Sequence, residues 1–117
     1  MIRTGNQYRE SINDGRQVWI DGEKVSDICS HPSLKPIIDI RARMYDMAHE
    51  DKYQKKLTYL DEETNELNTV YHKPPRTRDD WYQKDIAMDS LMQDIGGVVI
   101  RVSDETVGEM WSLFDGQ

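Results

Sequence analysis

Cysteine is almost missing from this sequence. Cys29 stands alone among 117 residues, which excludes an internal disulfide and removes the thiolate clusters that zinc and iron–sulfur sites require. Long apolar runs are missing too. No stretch approaches the ~18 consecutive apolar residues needed to cross a bilayer. The first residues, Met1 to Asn6, lack the apolar centre and small-residue cleavage site of a signal peptide. Positive charge is in deficit: 15 Lys and Arg face 22 Asp and Glu, a net charge of −7. A general nucleic-acid binder needs a basic face, so that class is excluded. The three histidines, His31, His49 and His72, fall in no metal-ligand spacing. Gly96-Gly97 fits neither a phosphate loop nor a dinucleotide fingerprint. These absences leave a soluble, cytoplasmic, acidic chain that reads as a single domain over residues 1–117, with no metal, no nucleic acid and no membrane among its partners.

Aromatic residues are what the sequence does have. Three Trp, six Tyr and one Phe are spread along its length. Disordered acidic chains are poor in such residues, so the ten are expected to anchor a core. Thr4-Gly-Asn-Gln7 has capping-box spacing and predicts a short helix through Tyr8 and Ile12 that stops at Gly15. Asp21-Gly22, between Gln17-Val-Trp-Ile20 and Glu23-Lys-Val25, predicts a hairpin closed by a type I′ turn. His31-Pro-Ser33 opens a helix over 34–49, with Leu34, Ile37, Ile38, Tyr45 and Ala48 on one face and Ile40, Met44 and Met47 widening it. A second hairpin is expected from Lys56–Leu60, a turn at Asp61–Asn65, and Leu67–Tyr71. After Pro74-Pro75, Thr77 caps a helix carrying Trp81, Met88, Leu91, Met92 and Ile95, ended by Gly96-Gly97. Val98–Val102 reads as a strand or a helix lead, and Ser103 caps a last helix through Val107, Met110, Trp111 and Phe114. So apolar an end reads as cut from a longer chain or built to meet another. The fold class is mostly α with two short β-hairpins.

Residues with chemical potential each have a plainer reading. Cys29 and His31 would share a strand face, but an i,i+2 Cys–His pair matches no known catalytic pattern, and a buried structural thiol is the expectation. Asp61-Glu-Glu-Thr-Asn-Glu66 lacks calcium-loop spacing and reads as a solvated turn. His49-Glu50-Asp51 reads as a fraying helix end. Trp81, Lys84 and Met88 lie at i, i+3 and i+7 on one helix face, so Lys84 is drawn towards an interior rim. There it meets a ligand, or it covers Trp81 with its methylenes while its charge stays in water. Arg101 and Asp104 follow the glycine stop.

Arg3-Thr-Gly-Asn-Gln-Tyr8, Val18-Trp-Ile-Asp-Gly-Glu-Lys-Val25, His31-Pro32, Tyr45-Asp-Met-Ala-His49 and Lys73-Pro-Pro-Arg-Thr-Arg-Asp-Asp80, continued by Gly97, Arg101 and Asp104, form an ordered set. As a set they resemble the amino-terminal domain of the 4-hydroxyphenylacetate 3-monooxygenase family. The resemblance implies the large, oxygenase component of a two-component phenol hydroxylase. In that family a separate reductase supplies reduced FAD, and one oxygen atom enters ortho to a phenolic hydroxyl. It also implies an acyl-CoA-dehydrogenase-like fold, in which this chain is the amino-terminal helical domain. A middle β-barrel and a carboxy-terminal bundle driving homo-oligomerisation would lie elsewhere. Flavin contacts and the family's substrate histidine lie beyond Gln117, so catalytic residues are not assignable and this chain alone is not expected to bind FAD. The positions matching the family's substrate-contacting arginine and tyrosine carry Lys84 and Met88, and Arg101 completes the implied substrate set. Lysine keeps the charge without the planar two-pronged donor, and methionine replaces a phenol by an adaptable apolar wall. That departure points to a small aromatic or heteroaromatic acid rather than to 4-hydroxyphenylacetate itself. The alternative from another class is a non-catalytic interaction subunit, or an isolated fragment, of the same fold.

Overall fold

The computed structural model describes residues 2–97. Among them the chain forms four helices and two small antiparallel hairpins. They divide into two compact units, one of Arg3–Asp46 and a second that runs on from Met47 and includes Ile2. The expected strand at Val98–Val102 and helix after Ser103 lie outside the described residues.

In the first unit, α1 spans Gly5–Ile12 and is opened by Thr4, whose hydroxyl accepts from the Gln7 amide while the Gln7 side chain accepts from the Thr4 amide. That reciprocal pair satisfies two of the donors every helix start leaves orphaned. Strands β1 (Trp19–Ile20) and β2 (Glu23–Lys24) pair with Ile20 opposite Glu23. Asp21 at φ 52° and Gly22 at φ 83° close the expected type I′ turn. α2 spans Lys35–Met47. Pro36 is tolerated in its first turn, where an amide would have no intrahelical partner. Arg9 donates to Asp39 at 3.0 Å, and the Tyr8 and Tyr45 rings stack with centroids 5.2 Å apart. Gly5 is buried and donates its amide to Asp46 Oδ1 at 2.7 Å.

The second unit holds α3 (Asp51–Leu57), β3 (Thr58–Asp61), β4 (Glu66–Thr69), a 3-10 turn at Val70–His72, and α4 (Arg78–Asp94). β3 and β4 are antiparallel, with Leu60 opposite Leu67 and Asp61 opposite Glu66. Ala48, Tyr53, Leu57, Val70, Tyr71, Ala87 and Leu91 are buried, as is Met47 where the unit begins. α4 ends in a Schellman arrangement: Gly96 and Gly97 take positive φ, and the Gly97 amide bonds the Met92 carbonyl at 2.7 Å.

Four expectations are corrected. The polar segment after His49 is no frayed end; it starts the separate helix α3, with Glu50 at its N-cap and Tyr53 and Leu57 buried. The second hairpin consequently starts at Thr58 rather than Lys56, and Val70 and Tyr71 belong to a 3-10 turn rather than a strand. On α2, Ile37 faces out and Ala42 is buried beside Ile38 one turn away. The aromatics do not all anchor cores: Tyr53 and Tyr71 do, while Trp19 is 60% exposed, Trp81 57% and Tyr82 54%.

Candidate functional site

The site is built on the entry to α4. Two prolines keep residues 73–77 extended, and Thr77 then turns the chain into the helix through a capping box with Asp80. The Asp80 side chain accepts at Oδ2 from the amides of Arg76 (3.0 Å) and Thr77 (2.8 Å) and from the Thr77 hydroxyl (2.9 Å). Its Oδ1 pairs with Lys73 Nζ at 2.5 Å. Lys73 also lies over the Tyr59 ring, 5.4 Å from its centroid. The Lys73 ammonium, helped by the Thr77 and Arg76 donors, holds the Asp80 carboxyl well below the usual carboxylate range, against the opposing pull of burial.

One turn further along α4, Lys84 Nζ donates to the carbonyl oxygen of Tyr71 at 2.8 Å. Burial lowers the Lys84 ammonium from its ordinary value, with Asp80 opposing that shift and Lys73 adding to it. Tyr71 is buried and donates its hydroxyl to the Ala87 carbonyl at 3.2 Å, and burial pushes its phenol far above the ordinary range. Lys73, Asp80 and Lys84 together carry one net positive charge. Asp80 is committed to Lys73, whereas Lys84 is held by a neutral carbonyl and keeps the capacity to meet a second anion.

Of the sequence-nominated residues, Lys84 and Met88 are half-buried and one turn apart on α4. Arg101 and Asp104 lie outside the described residues. Trp81 does not join Lys84 in an interior; it is exposed, and the lysine stem turns instead to the face that carries Asp80 and Ala87. Sequence reading missed Lys73 and the central role of Asp80. The signal for both was there: Thr77-x-x-Asp80 fixes where the carboxylate points, and a diproline three residues before a cap brings the preceding lysine back over it. Cys29 is half-buried, with its thiol 3.8 Å from the Arg9 carbonyl, and His31 accepts instead from the Ser33 amide. The carboxylate run is the solvated turn expected, with Asp61 accepting from the amides of Glu63 and Thr64. A separate open cleft of about 380 Å³ is lined by Ile2, Ala48, His49, Gln54, Glu66 and Leu67.

Comparison with known proteins places these features in a family. Residues 4–117 match the family model described as 4-hydroxyphenylacetate 3-hydroxylase N terminal. The 2,4,6-trichlorophenol monooxygenase of Cupriavidus pinatubonensis is 41% identical over 63 residues, 54% of this chain and 12% of its own length. The 4-hydroxyphenylacetate 3-monooxygenase oxygenase component of Thermus thermophilus is 35% identical over 81 residues, 68% of this chain and 16% of its own. A crystal structure of the oxygenase component of 4-hydroxyphenylacetate 3-monooxygenase, complexed with FAD and 4-hydroxyphenylacetate, is similar with a TM-score of 0.71 at 29% identity, over 79% of this chain and 19% of that one. A 4-hydroxybutyryl-CoA dehydratase from N. maritimus, 24% identical with a TM-score of 0.67, shares the fold. The fold is that of the amino-terminal helical domain of acyl-CoA-dehydrogenase-like flavoproteins, and the chain spans about a fifth or less of the length of these relatives.

The starts of α1 and α4 do not fit a flavin diphosphate. Helix N-termini are the natural seats for such a group, but α1 gives its Gly5 amide to Asp46 and its Gln7 amide to Thr4. α4 begins with Asp79 and Asp80 and gives its Asp80 amide to Thr77. Both starts are already satisfied internally, and carboxylates at each would repel an anion.

Proposed function

The chain belongs to the 4-hydroxyphenylacetate 3-hydroxylase family through its amino-terminal region, and from that premise we propose that it is the amino-terminal domain of the oxygenase component of a reduced-flavin-dependent monooxygenase acting on phenol-type rings. The observation that carries this reading is the continuous family match from residue 4 to residue 117. The likeness to an oxygenase complexed with both FAD and a phenolic acid supports it. The dioxygen chemistry belongs to reduced FAD delivered by a reductase partner and held by other parts of a longer or split oxygenase. This chain supplies one wall of the substrate pocket. Lys84 holds an anionic group on the ring, Met88 gives an apolar surface beside it, and Arg101 adds a second cation. The substrate class is therefore a small aromatic or heteroaromatic acid, hydroxylated ortho to its phenolic oxygen by a cytoplasmic homo-oligomer.

The test uses the complete oxygenase carrying this sequence, with a flavin reductase, NADH, FAD and a panel of phenols with and without a carboxylate, under ¹⁸O-labelled dioxygen. The expected product gains one labelled oxygen ortho to the hydroxyl, and the carboxylated phenols turn over faster. No labelled product above the reductase-only control would overturn the reading.

A further inference from the structure

Lys73, Asp80 and Lys84 gather at the entry to α4, and the carboxylate is the most firmly held of the three. Asp80 Oδ1 meets Lys73 Nζ, while Oδ2 accepts from the Arg76 and Thr77 amides and the Thr77 hydroxyl. It cannot turn away without breaking several of these bonds. Lys84 lies four residues on, on the same side of the helix, and its Nζ is tied to the Tyr71 carbonyl at 2.8 Å. The position is half-buried, which makes an ammonium costly, and a neutral carbonyl offsets only part of that cost. An arginine there would be charged at any working pH; a lysine is charged only where its surroundings favour it.

Among the described residues the charges acting on Lys84 are Asp80, which favours the ammonium, and Lys73, which opposes it. From the 3-10 turn, Tyr71 stays a neutral phenol bonded to the Ala87 carbonyl, and His72 is exposed and bonded to Thr69. From α3, Tyr53 receives the Lys52 ammonium and gives its hydroxyl to Asp94, ten residues and about 15 Å further along α4 than Lys84. From β3, Tyr59 places its ring against Lys73 and is kept neutral by burial. The negative charge near Lys84 is therefore that of Asp80.

We propose that Asp80 is a positioning residue for Lys84: its carboxylate, fixed one turn earlier on α4 by Lys73 and the Thr77 cap, keeps the Lys84 ammonium charged against the Tyr71 carbonyl and so ready for an anionic group on the substrate ring. The inference rests on the oxygenase reading for its substrate and adds to it the group that keeps the anion-holding lysine in its working state.

The complete oxygenase carrying this sequence is trace-acetylated with acetic anhydride from about pH 7 to about 10.5, and modification of Lys84 is read by mass spectrometry as a titration curve. Only the neutral amine reacts, so the midpoint reports the charge state of Lys84 without turnover. Asp80→Asn keeps an oxygen for the Thr77 cap and removes the charge, and the Lys84 midpoint should fall by about one pH unit. Lys73→Met removes the opposing cation, and the midpoint should rise. Both variants break the same ion pair, so a merely structural disturbance would move the midpoint the same way in each. Asp79→Asn, exposed and one position earlier, should leave it in place. A midpoint unmoved in Asp80→Asn, or moved the same way in both variants, overturns the proposal. If Asp80→Asn does not fold, judged by tryptophan fluorescence, Lys73→Met decides alone: a rise supports the proposal and no rise overturns it. The alkaline limb of kcat/KM for a carboxylated phenol, measured on the same preparations, should shift in the same two directions. Hydroxylation of carboxylated phenols with an unmoved Lys84 midpoint refutes the role of Asp80 alone; a moved midpoint in a protein that hydroxylates no phenol upholds the hold of Asp80 on Lys84 and refutes the oxygenase reading.

Discussion

Replacing Asp80 by alanine removes three supports at once. The capping box of α4 loses the bond from the Thr77 amide to its carboxylate, a change of about 0.5–1.5 kcal/mol. The Arg76 amide and the Thr77 hydroxyl lose their acceptor, and Lys73 loses its counter-ion. A fully buried pair broken on one side costs about 3–5 kcal/mol, and an exposed pair about 0–1. Here the Asp80 side chain is 10% exposed and that of Lys73 31%, so the lysine can turn partly to water and the pair falls well below the buried limit. The sum for Asp80→Ala is about 2–4 kcal/mol. Asp79→Ala, one residue away and exposed, loses only a favourable helix-dipole contact, below about 1 kcal/mol. Urea unfolding of the chain, followed by tryptophan fluorescence, reads both as midpoint shifts at constant slope.

The sign of the pH dependence follows from the same contacts. Lys73 first, then the Thr77 and Arg76 donors, hold the folded Asp80 carboxyl below its unfolded value. Its stabilisation is therefore complete above the unfolded value of about 3.9 and is lost as pH falls through the folded one. The gap in stability between the parent chain and Asp80→Asn should be constant from neutral pH to about 5 and close progressively below about 4. An Asp80→Ala chain no less stable than Asp79→Ala, or a gap unchanged at acid pH, would refute the reasoning.

Gly5→Ala should destabilise by at least about 2 kcal/mol, because its Cβ would come 2.5 Å from Asp46 Oδ2 and 2.6 Å from the Ala42 carbonyl oxygen; a midpoint matching the parent would mean that α1 and α2 separate freely. Gly22→Val meets no neighbouring atom, yet at φ +83° it should lose about 1–2 kcal/mol from backbone strain alone, read by thermal unfolding. Oxidised or reduced FAD titrated into the 117-residue chain should show no micromolar binding, since the starts of α1 and α4 are capped internally. In the complete oxygenase, Lys84→Met should lower kcat/KM for an anionic ring by roughly tenfold, about 1.4 kcal/mol, and leave a neutral phenol nearly unaffected; equal effects on both would make Lys84 a structural tie to Tyr71.

What the sequence disclosed and what it withheld divide along a physical line. Thr4, Asp21-Gly22, Thr77 and Gly96-Gly97 were legible because each acts through its own backbone: a cap or a positive φ is decided within four residues. α3 was not legible, because a seven-residue helix lies below the length at which propensity decides anything. It stands on the burial of Tyr53 and Leu57, and its link to α4 runs from the Tyr53 hydroxyl to Asp94, 41 positions away. Helical spacing put Trp81, Lys84 and Met88 on one face of α4, and Trp81 is exposed instead; spacing fixes only angles, not which side meets the core. The choice was made by Asp80. Once its carboxylate is tied to Lys73 and the Thr77 and Arg76 amides, the face of α4 holding residues 80, 84, 87 and 91 must turn inward. Trp81 is then carried outward with Tyr82 and Ile86. A polar contact at the helix entry and the burial of Ala87 and Leu91 therefore agree on the orientation of the helix. The same rotation gives Lys84 its carbonyl partner and leaves Trp81, Tyr82 and Ile86 exposed.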